Sequence, residues 1–191
     1  MEHNPFKGLR LPPEGAARTR RIDRWKDVRP IVRLLGYRTG HAPATKNQEV
    51  ALALLVALRT AMRAGEVIAL GKSSLDMKKR VATIRHKMQY LTGRPREIPL
   101  SRAGARLLQP IADREHCFTV TSASLDALFR KAKDSLGIEG LHFHDSRAEA
   151  LTRLSRKVDV MTLAKISGHK DLRILQEHYY RETSEQIAAR L

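Results

Sequence analysis

Cysteine is nearly absent. The single Cys117 cannot form an internal disulfide, which fits a reducing compartment. Its setting, HCFTV, is apolar, and it reads as a buried structural thiol rather than a nucleophile. No Cys-x-x-Cys pair and no His/Cys set at zinc spacing occurs, so no metal ion is expected. There is no phosphate-cradling Gly-rich Lys-Ser/Thr motif either, and no acidic cluster. No apolar run approaches the ~20 residues of a membrane span, and no membrane association is expected. The apolar run ALALLVAL at 51–58 fits a core helix. The opening residues lack the apolar core of an export signal, so a cytoplasmic location is the expectation.

Acid is scarce relative to base. Thirty-six Lys and Arg face 20 Asp and Glu, a net charge of +16, which favours a polyanionic partner, with nucleic acid the first choice. Residues 1–21 hold three prolines and five Lys or Arg and read as an extended basic linker. No internal repeat is visible. A helix is predicted over 22–37, with Pro30 tolerated near its first turn. Loop follows over 36–48, then a buried apolar helix over 48–62 that continues after a bend at Gly65. Short β-type segments near 73–77, 81–87 and 96–100 predict a three-stranded antiparallel sheet, the last two joined by the turn MQYLTGRP. Helices then return. One is capped by Ser101, one spans 122–136 and stops at Gly137, and one spans 145–157. Another runs from Asp159 to Gly168, a further one covers KDLRILQEHYY, and TSEQIAARL is a possible last helix. The expected fold class is mainly α with a small three-stranded antiparallel sheet, an α+β arrangement.

Several residues could carry chemistry. Arg63 follows the buried helix and is either an ordinary ion pair with Glu66 or a pinned functional cation. Lys87 lies at a hairpin end, either a solvated charge or a group reaching into a cleft. His144 and Arg147 are spaced i, i+3 at a predicted helix start, where unpaired backbone N–H groups favour an anion. Asp145 can cap that helix. His142 and His144 alternate across Phe143 and are expected to face opposite ways. His169 follows a glycine stop beside another helix start. Tyr179 and Tyr180 lie one helix later. A phenol becomes a useful nucleophile only where cations surround it.

Singly, each of these reads as ordinary structure. In order, TAMRAGEV, HKMQYLTGRPREIPLS, FHDSRAEALTRL, ISGHKDLRIL and YYRET resemble the tyrosine recombinase, or phage integrase, family over residue 47 to the C-terminus. That family reads T-G-L-R-x-x-E, a Lys near a hairpin Gly, H-x-L-R-H, L-G-H and R-Y. The step from Arg147 to His169 is 22 residues, near the family's habit. Three departures stand out. Ala148 replaces a frequent His. Leu91 sits where a Lys two before the hairpin Gly is usual, so Lys87 would reach from further back. The tyrosine usually lies nine residues after the Gly-His histidine, and here that place is His178, with Tyr179 and Tyr180 next.

The resemblance implies DNA strand breakage and rejoining through a covalent 3′-phosphotyrosine, without metal, ATP or other cofactor. Arg63 and Arg147 would hold the phosphate oxygens and Lys87 would protonate the leaving 5′ oxygen. His144 would take the tyrosine proton or hold the phosphate, and His169 would donate to it. Tyr179 would attack, with Tyr180 the alternative, and Glu66 or Asp145 would orient the cations. Arg18, Arg20, Arg21, Arg24 and Lys170 would contact the double-stranded DNA backbone. By the same resemblance the chain is expected to be a catalytic domain over 22–191 behind an interdomain linker. The family's N-terminal core-binding domain would be absent. A homotetramer on DNA and association with the nucleoid are likewise expected. Type IB topoisomerases share the residue set and are the rival within the chemistry. A non-catalytic DNA-binding remnant is the rival of another class.

Overall fold

A computed structural model describes residues 20–84 and 95–180, together with 185, 188 and 189. The N-terminal segment opens on a π-helical turn, Arg24–Val28, whose free N–H groups at Trp25 and Lys26 donate to Asp23 Oδ1, each at 2.7 Å. It runs directly into α1, Arg29–Leu34, with Pro30 in its first turn where a missing N–H costs nothing. The predicted 22–37 helix is therefore two short pieces.

Helix α2, Lys46–Thr60, is capped by Thr45 and buried on nearly every side. Its Val50, Leu52, Leu54 and Val56 form the centre of the main core. It ends at Ala61, which adopts the left-handed conformation, φ +58° and ψ +20°. Arg63 then starts α3, Ala64–Ile68. The bend thus falls at Ala61–Met62, not at Gly65, which lies inside α3. Glycine tolerates a bend, but the break is set where α2 must turn to deliver Arg63. Ala61 stands where the TGLR pattern has glycine. An alanine there has its Cβ crowded against the carbonyl, at a cost of about 1 kcal/mol. Ala61→Gly is expected to raise the melting temperature by ~2–4 °C for a domain of this size, read by thermal unfolding.

The sheet is antiparallel in the order β1 (Leu75–Asp76), β2 (Val81–Ile84), β3 (Arg96–Pro99), as expected. Ala82 pairs with Ile98 and Ile84 with Arg96. Opposed residues share a face, so Arg96 stands on the same side as buried Ile84 and Ile98. The turn joining β2 and β3, including Lys87 and Leu91, lies outside the described residues.

Five α-helices with described bounds follow. They are α4 (Arg102–Leu108), α5 (Ser122–Ser135), α6 (Asp145–Ser155), α7 (Val160–Ser167) and α8 (Leu172–Tyr179). Ser101 caps α4 through Gly104 N–H, and Asp159 caps α7, as the sequence predicts. Gly137 and Gly168 both take positive φ at helix ends. α2 packs against α4 and α6, which fixes the second core cluster of Ala61, Ala150, Leu151, Leu163 and Leu175. That cluster positions the ends of α2, α6, α7 and α8 together. The segment TSEQIAARL lies largely outside the described residues. Cys117 is fully buried, and burial pushes its thiol up to about 11, as suits a structural role.

Candidate functional site

Four segments far apart in sequence converge beside that small core. The end of α2 brings Arg63, the start of α6 brings Arg147, the turn after α7 brings His169, and the end of α8 brings Tyr179.

Arg147 is the centre. Only 3% of it is exposed. Its Nη1 donates to the carbonyl of Ala61 and its Nη2 to that of Ser167 at 2.7 Å. Burial, then repulsion from Arg63, lowers its pKa to about 10, so the group stays charged at neutral pH. Arg63 is half-exposed, and its backbone N–H and Nη1 both donate to Glu66, at 2.8 and 3.0 Å. The ordinary ion pair and the pinned cation are thus the same arrangement. Burial alone would raise the Glu66 carboxyl, but the Arg63 N–H and the neighbouring guanidinium groups outweigh it and hold it below the usual range.

His169 Nδ1 lies 2.7 Å from Ser167 Oγ. Burial, followed by Arg147, Arg63, Arg96 and His178, pushes this imidazole down to about 4, so it is neutral at physiological pH. An unfolded imidazole binds its proton near 6.5. Acid therefore protonates the unfolded chain first. Stability that is fully present above about 6.5 falls as the pH drops toward about 4. Between pH 7 and 5 wild type is expected to lose roughly 1–2 kcal/mol more than His169→Gln, measured from urea midpoints at the two pH values.

The two tyrosines differ. Burial raises the Tyr179 phenol, while Arg147 pulls it the other way. Its own backbone carbonyl accepts from Ser155 Oγ at 2.8 Å. The Tyr180 hydroxyl instead donates to Val158 O at 2.6 Å, away from the arginines.

Other predicted residues are placed differently. His144 is exposed at the N-cap of α6, one turn before Arg147. Asp145 is buried and accepts from His142 N–H at 2.8 Å, reaching back across the helix start. His142 and His144 do not face opposite ways. Leu141, Phe143 and Asp145 are buried, so alternation puts both imidazoles on the solvent side. Arg20 forks onto Asp27 at 3.0 and 3.1 Å, and Arg21 pairs with Glu149 at 2.8 Å. Both charges are compensated within the fold. Arg24 lies over the exposed Trp25 ring, 5.3 Å from its centroid, and Lys170 is exposed beside His169. Arg18 and Lys87 lie outside the described residues.

Two participants have no counterpart in the expected set. Ser167 gives its carbonyl to Arg147 and its hydroxyl to His169. Arg96 ion-pairs with Glu66 at 2.7 Å and donates to Ser167 O at 3.1 Å. The signal for Arg96 was present, since it stands two residues before Ile98 on the apolar face of a strand. A charge there must find partners. Taken together, three guanidinium groups and one carboxylate surround a neutral imidazole and a phenol. Such a set can bind a phosphodiester and supply a nucleophile to it.

Comparison with known proteins identifies the family and the fold. Residues 31–186 match the model of the phage integrase family. A Haemophilus influenzae protein named an integrase/recombinase is 41% identical over 192 residues, covering 98% of this chain and 61% of that protein. The shufflon-specific DNA recombinase of Escherichia coli is 32% identical over 179 residues, covering 92% of this chain and 44% of its own length. The chain thus spans about three-fifths or less of these curated relatives. Among solved structures, the catalytic domain of bacteriophage HP1 integrase superposes with a TM-score of 0.58 at 19% identity, covering 84% of this chain and 89% of that one. The XerH site-specific recombinase bound to a palindromic difH substrate gives 0.61 at 15% identity, covering 89% and 52%. At such identities these superpositions establish the fold.

Proposed function

This chain belongs to the phage integrase (tyrosine recombinase) family and carries that family's catalytic-domain fold, and we propose that it cuts and rejoins DNA as part of a site-specific recombinase. The observation that carries this reading is the convergence of Arg63, Arg147, His169 and Tyr179 from four separate segments onto one small core.

In this reading the Tyr179 oxygen attacks the scissile phosphorus. A P–O bond forms to tyrosine and the bond to the 5′ oxygen breaks, leaving a 3′-phosphotyrosine and a free 5′-hydroxyl. Arg63 and Arg147 bind the non-bridging oxygens, where guanidinium forks match the phosphate and strengthen their hold as negative charge builds. Their fixed seats, on Glu66 for one and on two carbonyls for the other, leave little to reorganise. Neutral His169 donates from Nε2 to a phosphate oxygen when the Ser167 hydroxyl donates to Nδ1. His144, exposed ahead of Arg147, takes the phenol proton or holds the phosphate. Lys87 protonates the leaving oxygen. The phosphotyrosine retains the energy of the broken ester, so rejoining by a 5′-hydroxyl needs no nucleotide hydrolysis and no metal. Residues 22–191 are read as the catalytic domain and 1–21 as the basic linker. Double-stranded DNA is the partner, with a homotetramer assembled on it.

The test uses a pool of nicked duplexes of randomised sequence. A nick beside the cleavage position lets the short 5′-hydroxyl fragment leave and traps the covalent product. A DNA-linked peptide containing Tyr179, found by mass spectrometry, is the expected result. No adduct anywhere in the pool leaves the chain a DNA-binding remnant. Relaxation of supercoiled plasmid without joining of two sites would assign it to topoisomerase-like chemistry.

A further inference from the structure

We propose that Arg96 is a positioning residue of this site, a buried fork on β3 that locks the Ser167–Gly168–His169 turn and the Arg63–Glu66 pair to each other. The catalytic consequence rests on the recombinase reading above; the placement of the turn does not.

The geometry begins with the strand. Arg96 opposes Ile84, and Ile98 opposes Ala82, all on the core-facing side of the sheet. Its side chain is 9% exposed. A guanidinium cannot remain there unpaired, and its partners are informative. Nη2 stands 2.7 Å from Glu66 Oε2, and Nη1 donates to Ser167 O at 3.1 Å. Glu66 is also the partner of Arg63, and Ser167 O is also an acceptor for Arg147. Each partner of Arg96 is therefore shared with one of the two phosphate-binding arginines. A single planar group joins both, from the strand that leads out of the Lys87 hairpin.

Gly168 completes the lock. It takes φ +74°, and a Cβ built on it would lie 2.2 Å from Arg96 Nη1 and 3.2 Å from Cζ. The glycine before His169 is thus required twice, by its backbone conformation and by the guanidinium filling the space beside it. Lysine cannot reproduce the contact, since a point ammonium cannot serve Glu66 and the Ser167 carbonyl in one plane.

The charged and titratable groups around His169 come from every neighbouring element. They are Arg96 on β3, Arg63 and Glu66 at α3, Arg147 on α6, His178 and Tyr179 on α8, and Lys170 and Asp171 in its own turn. Removing the Arg96 cation leaves less positive charge against the imidazole, which must then protonate more readily.

The experiment compares Arg96→Lys, Arg96→Met, Gly168→Ala and the Arg96→Lys/Gly168→Ala double variant in the full 191-residue chain. Single-turnover cleavage is measured on the nicked duplex pool, DNA affinity by titration, and His169 by imidazole NMR without DNA. Arg96→Lys is expected to keep DNA affinity within about twofold while cleavage falls by roughly 10- to 100-fold, because small displacements of a reacting group cost that much. Gly168→Ala should lower cleavage in the same direction, and the double variant should be no slower than the slower single one. In Arg96→Met, His169 should titrate closer to 6.5. Wild-type cleavage in Arg96→Lys, or an unmoved His169 titration in folded Arg96→Met, overturns the proposal. If Arg96→Met does not fold, Arg96→Lys decides it through cleavage. If wild type forms no adduct, the recombinase reading fails by itself, and the NMR titration still decides whether the Arg96 charge stands against His169.

Discussion

Tyr179→Phe is expected to abolish covalent capture of DNA and to leave binding, with its dependence on salt, unchanged. The substitution removes one oxygen. The ring stays half-buried against the second core cluster, and the backbone carbonyl that Ser155 holds is untouched. Binding comes from phosphate contacts by Lys and Arg, so the slope of log affinity against log salt should match wild type. In the recombinase reading the Tyr179 oxygen, by contrast, has no substitute at that place. Burial keeps the phenol protonated in the free chain, and Arg147 is the neighbour that eases its ionisation. Tyr180→Phe is the paired experiment. It removes the 2.6 Å bond to Val158 O, at about 1 kcal/mol of stability, and should still form adducts. Adducts that persist in Tyr179→Phe and vanish in Tyr180→Phe would reverse the assignment.

Arg147→Lys should lower the cleavage rate by at least ~10²–10³-fold, the usual result of losing one oriented charge in a transition-state site. It should also lower stability by ~2–4 kcal/mol, because two buried carbonyls lose a donor. Urea unfolding and single-turnover cleavage measure the two effects separately. The pH dependence adds a further signature. Burial lowers the arginine to about 10, and it stays charged. A lysine in the same place begins from a lower ordinary pKa and is pushed down by the same burial. Its charge is lost as pH rises, so the variant's residual cleavage should decline toward alkaline pH where wild type does not. A flat profile and a wild-type rate would show that Arg147 serves the fold alone.

Features whose cause is local were readable from the sequence. Ser101 and Asp159 cap helices through their own side chains, and Gly137 and Gly168 end them through positive φ. The strands follow from alternation over a few residues. The site was legible as an order of motifs, which points to Arg63, Arg147, His169 and Tyr179 without any distance between them. What was not legible depends on tertiary partners. The chain breaks at Ala61 because α2 ends against α6, and no property of alanine announces that. Arg20 and Arg21 look like free cations until Asp27 and Glu149 are placed beside them. Both imidazoles at 142 and 144 turn outward because Phe143 is drawn into the core. Arg96 is an intermediate case, since its place on the apolar face of a strand is readable but its partners Glu66 and Ser167 are tertiary.

The bond from Ser155 to the carbonyl of residue 179 has a mechanical consequence. Arg147 and Ser155 lie on one helix, eight residues apart, a span of about 12 Å. α6 is therefore a gauge bar, with Arg147 at one end and the fastening of the Tyr179 helix at the other. The fastening takes hold of a peptide group and is indifferent to the side chain that follows. The reach of the phenol is then set by the length of α6 rather than by a count from His169. In the recombinase reading, a chain built this way can carry an extra residue between histidine and tyrosine without moving the phenol relative to Arg147.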